Sequence, residues 1–275
     1  DFAWQLGDVH LMRFSRRDFL QHSAAVAAGF GGLQTLSAYQ SDKNALLTEG
    51  YGELQPDPDQ ILELPKGFCY RIISEAGQMM NDGLVVPGKP DGMAAFPGPK
   101  GTTILVRNHE INPAVTPAIG PFGKDNNKLT DEIRTKLYDP GERPNLGARV
   151  PCLGGTTTLV YNTQRQRTVQ QFLSLSGTLR NCAGGLTPWG SWITCEETVE
   201  RAGKVCSLDH GYNFEVPATA KPHLAKAVAL KAMGRFNHEA IAVDPKTGIV
   251  YQTEDRHDGL LYRFIPNVKG QLARG

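Results

Sequence analysis

The sequence predicts an all-β fold of the β-propeller kind, and three observations predict it. Glycine (30) and proline (18) are abundant while helical periodicity is scarce, which favours short strands joined by many turns. A strand–turn–strand–acidic loop–strand unit occurs twice, over residues 154–195 and 240–265, as propeller blades do in sequence. Three apolar strands also end in acidic clusters: ILVRNHE (104–110), SWITCEE (191–197) and IVYQTED (249–255). Equivalent strands of a propeller point the same way around a central channel, so these ends should converge on one face. Carboxylates meeting there repel one another unless a multivalent cation holds them.

Taken in order, the chain opens at Asp1, and residues 1–11 read as an upstream, non-native segment. Met12 begins a recognisable stretch: SRRDFL (15–20) precedes an Ala/Gly-rich apolar run over 23–36. Paired arginines before such a run make a helical twin-arginine export signal, placed over 12–40. The run is shorter and richer in glycine than a spanning helix, which needs about 20 apolar residues. Residues 41–275, about 235 residues, suffice for one large β domain.

Residues 41–66 form a polar lead-in with a turn at 56–59, and 68–74 is the first expected strand. Residues 81–99 read as loop, with Asp91 as a turn former. A strand over 102–107 stops at Asn108, His109 and Glu110, and an irregular insertion follows over 112–150, with one helical turn near 129–137. Strands at 154–161 and 168–174 flank a turn, the Cys182 loop comes next, and 191–195 is a strand. Downstream, 240–243, 249–253 and 260–265 are strands, the first introduced by RFNHE (235–239).

A net charge of +1 gives no basis for nucleic-acid or membrane-surface binding. Five scattered cysteines are too few for a disulfide scaffold, and no later segment is apolar enough for a stable membrane anchor.

The chemistry concentrates in RNCAGGLTPWGSWITCEE (180–197). Cys182 precedes a Gly-Gly pair and a Pro-Trp-Gly turn, and a short β run then leads to Glu196 and Glu197. Sulfur suits iron, zinc or copper, whereas carboxylate oxygen suits calcium or magnesium. A Cys182–Cys195 disulfide across the hairpin is an open alternative, as is plain solvated charge for the two glutamates. Adjacent strand residues face opposite ways, so Glu196 and Glu197 share a site only where the strand ends or bulges. His109 and His238, each beside a glutamate at a strand boundary, read as surface positions rather than ligands.

SRRDFL, LVRNHE, GGTTTLVYN, LSGTLRNCAGGLTPWGSWITCEE, GRFNHEAIAVDP and YQTEDRHDGLLYRFIP together resemble the PhoX-type alkaline phosphatases through most of residues 15–266. The resemblance implies an exported, monomeric β-propeller with iron (Fe3+) and calcium (Ca2+) at its channel mouth, hydrolysing phosphate monoesters. Cys182 resembles the family's iron-binding thiolate. Glu197 and Glu196 resemble a carboxylate shared by the metals, and Glu239 resembles a further metal carboxylate. Glu110 matches the NHE piece, and Glu254 and Asp255 join the expected metal set. Two departures stand out. Thr253, Glu254, Asp255 and Arg256 replace a Gly-Asp-Asp pattern, which suggests a side branch. The chain also stops at Gly275, soon after a strand, so an incomplete propeller lacking its C-terminal blades is expected.

The expected activity is metal-assisted phosphoryl transfer on a small phosphate ester, in the periplasm or outside the cell after delivery by the twin-arginine machinery. Arg256 and Arg235 are the candidate phosphate clamps, and each also fits a structural surface arginine. Two alternatives remain: a non-catalytic, calcium-stabilised binding module, and a calcium-dependent propeller hydrolase of another ester or lactone. Cys182 discriminates, because calcium takes oxygen ligands only.

Overall fold

The computed structural model describes residues 50–112, 119–143 and 148–275. The segment 1–11 and the export signal placed over 12–40 lie outside the described residues. The chain divides into two compact units, the first running to Arg71 and the second from Ile72 to Gly275.

In the first unit a short antiparallel pair, β1 (Leu54–Gln55) and β2 (Leu64–Pro65), brackets a loop organised by Asp57. One Asp57 carboxylate oxygen accepts bonds from the Ile61 amide (2.8 Å), the Leu62 amide (3.0 Å) and the Tyr70 hydroxyl (2.9 Å). Those donors hold its pKa down at about 2, the two backbone amides contributing most.

The second unit is mostly antiparallel β, with four sheets among its described residues and almost no helix. The largest sheet runs in the order β3 (Pro90–Pro97), β4 (Thr102–His109), β7 (Gly154–Asn162), β8 (Arg167–Thr178). Two three-stranded sheets follow. One has β10 (Ser191–Glu196) between β9 (Asn181–Leu186) and β11 (Asn213–Pro217). The other has β13 (Val250–Glu254) between β12 (His238–Val243) and β14 (Leu261–Phe264). A two-residue pair, β5 (Glu142–Arg143) with β6 (Ala148–Arg149), completes the set.

The sheets pack through their apolar faces. Ala94, Phe96, Ile104 and Val106 of the four-stranded sheet meet Trp192, Phe214 and Val216 of the β9–β11 sheet. The opposite face of that sheet, Ile193 and Cys195, meets Ile241, Val250 and Phe264 of the β12–β14 sheet. A third cluster covers the outer side of β8, where Leu173 packs with Leu84, Val86, Phe122 and Leu137. Each buried side chain of this size contributes about 1.5–3 kcal/mol relative to exposure. β10 is covered on both faces, and all six of its residues are buried.

Three expectations are corrected. Residues 68–74 form no strand: Phe68 and Ile72 are exposed, and no ladder partner exists among the described residues. Part of the loop expected over 81–99 is β3, whose prolines sit at its two ends on the sheet edge, where a missing amide costs no ladder bond. The Cys182 loop is strand β9, and its Gly-Gly pair marks close packing rather than a turn. A Cβ at Gly185 would run into the carbonyl and side chain of Ile241 on the neighbouring sheet. The helical turn expected near 129–137 is present at Asp131–Arg134, capped by the Thr130 hydroxyl accepting from the Ile133 amide (3.2 Å).

Candidate metal centre

Strand ends from all three large sheets supply the centre. Cys182 lies on β9, Glu197 just past β10, Glu239 on β12, Asp255 just past β13 and Glu110 just past β4. The ligand atoms of Cys182, Glu197 and Glu239 all lie within 4.8 Å of one another. Cys182 Sγ is 3.6 Å from Glu239 Oε2, 3.4 Å from the His238 carbonyl and 3.8 Å from the Cys195 carbonyl.

Asn108 fixes the backbone beneath the thiol. Its fully buried amide donates to the carbonyls of Cys182 (2.9 Å) and Ala183 (2.8 Å) and accepts from Trp192 Nε1 (2.9 Å). On the other side β3 comes so close that a Cβ at Gly92 would lie 2.7 Å from the Cys182 carbonyl. Cys182 and Cys195 are both free thiols, so the hairpin disulfide is not formed.

Acids outnumber bases here. Burial, then a shared hydrogen bond with Asp255, raises the Glu197 pKa to about 7 against the opposing charge of Arg180. Glu239 is raised by burial and further by the charges of Asp255, Asp91 and Glu110. Burial, followed by the charges of Glu239 and Glu197, pushes the Cys182 thiol far above its ordinary pKa. Among the described residues, Arg180 is the one cation in ion pairs with this group. Its Nε and Nη2 both donate to Glu110 Oε1 at 3.2 Å, and Nη2 also donates to Glu197 Oε2 at 2.6 Å.

That donor set fits iron and calcium. A thiolate needs a metal softer than calcium, and the surplus carboxylates suit a hard cation. A multivalent positive charge would reverse each of the upward pKa shifts at once.

The remaining expected residues lie elsewhere. Glu196 is fully buried on the opposite side of β10. It accepts from the Leu179 amide (2.8 Å), His210 Nδ1 (2.7 Å), the Gly211 amide (2.8 Å) and the Tyr212 amide (3.1 Å). Glu254 holds the β13–β14 connection, accepting from the Tyr262 hydroxyl at 2.9 Å. Arg235 pins the loop after β10 through the carbonyls of Val199 (2.6 Å) and Glu200 (2.9 Å). Arg256 pairs with Asp258 at the surface (3.0 Å).

His109 and His238 are interior rather than surface residues. His109 sits between the Gly88 carbonyl (2.8 Å) and the Thr157 hydroxyl (2.9 Å), and burial, then the nearby Arg107, lowers its pKa to about 3. Asp91, read from the sequence as a turn former, lies on β3 and is close enough to act on Glu239. One contributor escaped the sequence reading. Arg180 stands at the head of the cysteine stretch, in a left-handed backbone conformation (φ 46°) that turns the chain from β8 into β9.

The model of the family described as alkaline phosphatase PhoX matches residues 49–274. No curated protein and no solved structure matches the chain.

Proposed function

The chain belongs to the alkaline phosphatase PhoX family, and we propose that it hydrolyses phosphate monoesters at a metal centre held by Cys182, Glu197 and Glu239. The finer parts of the proposal are that the three large sheets are propeller blades, that the centre sits at the channel mouth, and that the protein is exported by the twin-arginine route. The observation that carries it is the placement of one buried thiol 3.6 Å from a carboxylate in a group of acids that a single arginine only partly neutralises.

Iron and calcium, when bound, would supply Lewis-acid charge to the phosphoryl oxygens and lower the pKa of the attacking oxygen. Cys182 would hold the softer metal, Glu197 and Glu239 would supply carboxylate ligands, and Asp255 and Glu110 would complete the acidic rim. Arg180 orients two of those carboxylates through Nε and Nη2. Its Nη1 makes neither bond and is a further candidate donor for a phosphoryl oxygen, beside Arg235, which bonds the Val199 and Glu200 carbonyls through Nη2, and Arg256, which pairs with Asp258 through Nε.

The test compares Cys182→Ser with Cys195→Ser for iron content, turnover of a generic aryl phosphate, and melting temperature. Serine stays protonated near neutral pH and is a harder ligand, so Cys182→Ser should lose iron and lower activity by orders of magnitude while the fold survives. Cys195→Ser should be mild on activity. Equal losses of stability in both variants, with activity retained, would end the proposal.

A further inference from the structure

A second cluster lies on the other side of β10, in a part of the molecule with little regular structure. Residues 197–212, between β10 and β11, form no strand or helix. Cys206 and His210 come from this loop, Asp139 from the segment before β5, and Cys152 from the segment before β7. All four side chains are buried, as is Glu196 beside them. The ligand atoms of Asp139, Cys206 and His210 lie within 4.8 Å of one another. His210 Nε2 is 3.4 Å from Asp139 Oδ2 and 3.7 Å from Cys152 Sγ.

We infer that this cluster is a structural zinc site: Asp139, Cys206 and His210 hold the ion, Cys152, which is 3.7 Å from His210 Nε2 but outside that three-atom group, shifts in to close the fourth position, and the site staples the β10–β11 loop to the segments around β5 and β6.

Three observations support it. Tetrahedral zinc with its usual bond lengths places nitrogen about 3.3 Å from oxygen and about 3.6 Å from sulfur. The observed His210–Asp139 and His210–Cys152 separations are 3.4 Å and 3.7 Å. The ring is also already aimed. Its Nδ1 donates to Glu196 Oε1 at 2.7 Å, the outer carboxylate that metal-bound histidines commonly have, which leaves Nε2 facing the other three residues. Asp139 is also anchored: Oδ1 accepts from the Gly141 amide (2.8 Å), and Oδ2 accepts from the amides of Ser207 (2.6 Å) and Leu208 (3.0 Å).

The charge count is also favourable. Two thiolates and one carboxylate around Zn2+ leave one negative charge, and three backbone amides already satisfy the neighbouring Glu196. Sulfur and imidazole exclude calcium, and complete burial leaves no open position for substrate, so the site is structural. The ring lies between the carboxylates of Asp139 and Glu196. Zinc binding releases a proton from each thiol.

The test uses the chain carrying Cys69→Ser and Cys182→Ser, so that the exposed thiol and the thiol of the first centre contribute nothing. After chelation, Co2+ and then Zn2+ are titrated in. One equivalent of Co2+ should produce thiolate-to-cobalt charge-transfer absorption, and Zn2+ should displace it and raise the melting temperature. Adding Cys206→Ser should weaken Zn2+ binding by about 100-fold or more, and Glu196→Gln by about 10–100-fold. Cys195→Ser, made in the same chain, should change neither. Absence of the cobalt–thiolate absorption in the parent chain overturns the inference whether or not the further variants fold. Absorption that persists unchanged with Cys206→Ser overturns it as well.

Discussion

Arg180 is the sharpest place to perturb the first centre, because its removal leaves Glu110 and Glu197 facing each other without a counter-charge. The three side chains are 34%, 30% and 16% exposed, between a surface pair and an interior one. Exposed pairs contribute roughly 0.2–1 kcal/mol, whereas breaking a buried pair costs about 3–5 kcal/mol. Arg180→Ala should therefore destabilise the metal-free protein by about 1–3 kcal/mol. For a unit of this size each kcal/mol moves the melting temperature by about 2–4 °C. Arg180→Gly is the backbone control. At φ 46° glycine escapes a strain of about 1 kcal/mol that alanine keeps, so it should melt above Arg180→Ala. Adding iron and calcium should shrink the loss in both variants, because the metals take over the guanidinium's role of neutralising the carboxylates. The assay is differential scanning calorimetry of both variants and the parent, with and without metals. An unchanged melting temperature in metal-free Arg180→Ala, or an equal loss with and without metals, would refute the reasoning.

Two further outcomes follow from buried polar groups. Asn108→Ala removes three hydrogen bonds and leaves Trp192 Nε1 and two carbonyls unpaired, which should cost about 2–4 kcal/mol in denaturant unfolding and weaken iron binding through Cys182; a change below about 0.5 kcal/mol would contradict it. His109 is held neutral with a pKa of about 3 against an ordinary 6.5, so unfolding takes up a proton between those values. Its contribution is complete above pH 6.5 and disappears as pH falls towards 3, so the parent should lose stability more steeply than His109→Gln between pH 7 and 4; parallel melting curves would show that the shift is absent.

What the sequence displayed depended on how each segment is buried. β7 and β10 were readable because a strand covered on both faces shows as a continuous run of β-branched and apolar residues, GGTTTLVYN and SWITCE. β3 was unreadable because its edge position tolerates the Pro and Gly that elsewhere signal loop. β9 was hidden by its glycines: Gly184 makes room for Ile193 and Trp192 on the paired strand, and Gly185 lets another sheet approach at Ile241, more than fifty positions away. The acids of the first centre were legible as strand ends. Arg180 was not, since its reach to Glu110 depends on a left-handed turn and a pairing across 70 residues. The second cluster joins residues between 139 and 210 from unpatterned loops, and neither local propensity nor periodicity carries such information.

The division of labour between Glu196 and Glu197 follows from the pleat of β10. Ile193 and Cys195 face the β12–β14 sheet, and Glu197 continues that face into the Cys182 centre. Trp192 points the other way, towards Asn108, Thr194 receives the Asn181 amide at 3.0 Å, and Glu196 continues that face to His210. The bulge in the β9 pairing between Thr194 and Glu196 does not undo this alternation. Two adjacent carboxylates, chemically the same in sequence, thus face two side-chain clusters on opposite sides of one strand. A one-residue slip of β10 would exchange the faces and send each glutamate to the wrong centre. The slip is opposed where the strand is most tightly held: on one side Asn108 grips Trp192, and on the other Ile193 and Cys195 are fully buried. The strand register therefore positions both clusters at once, and the packing that stabilises the sheets is also what aims their side chains.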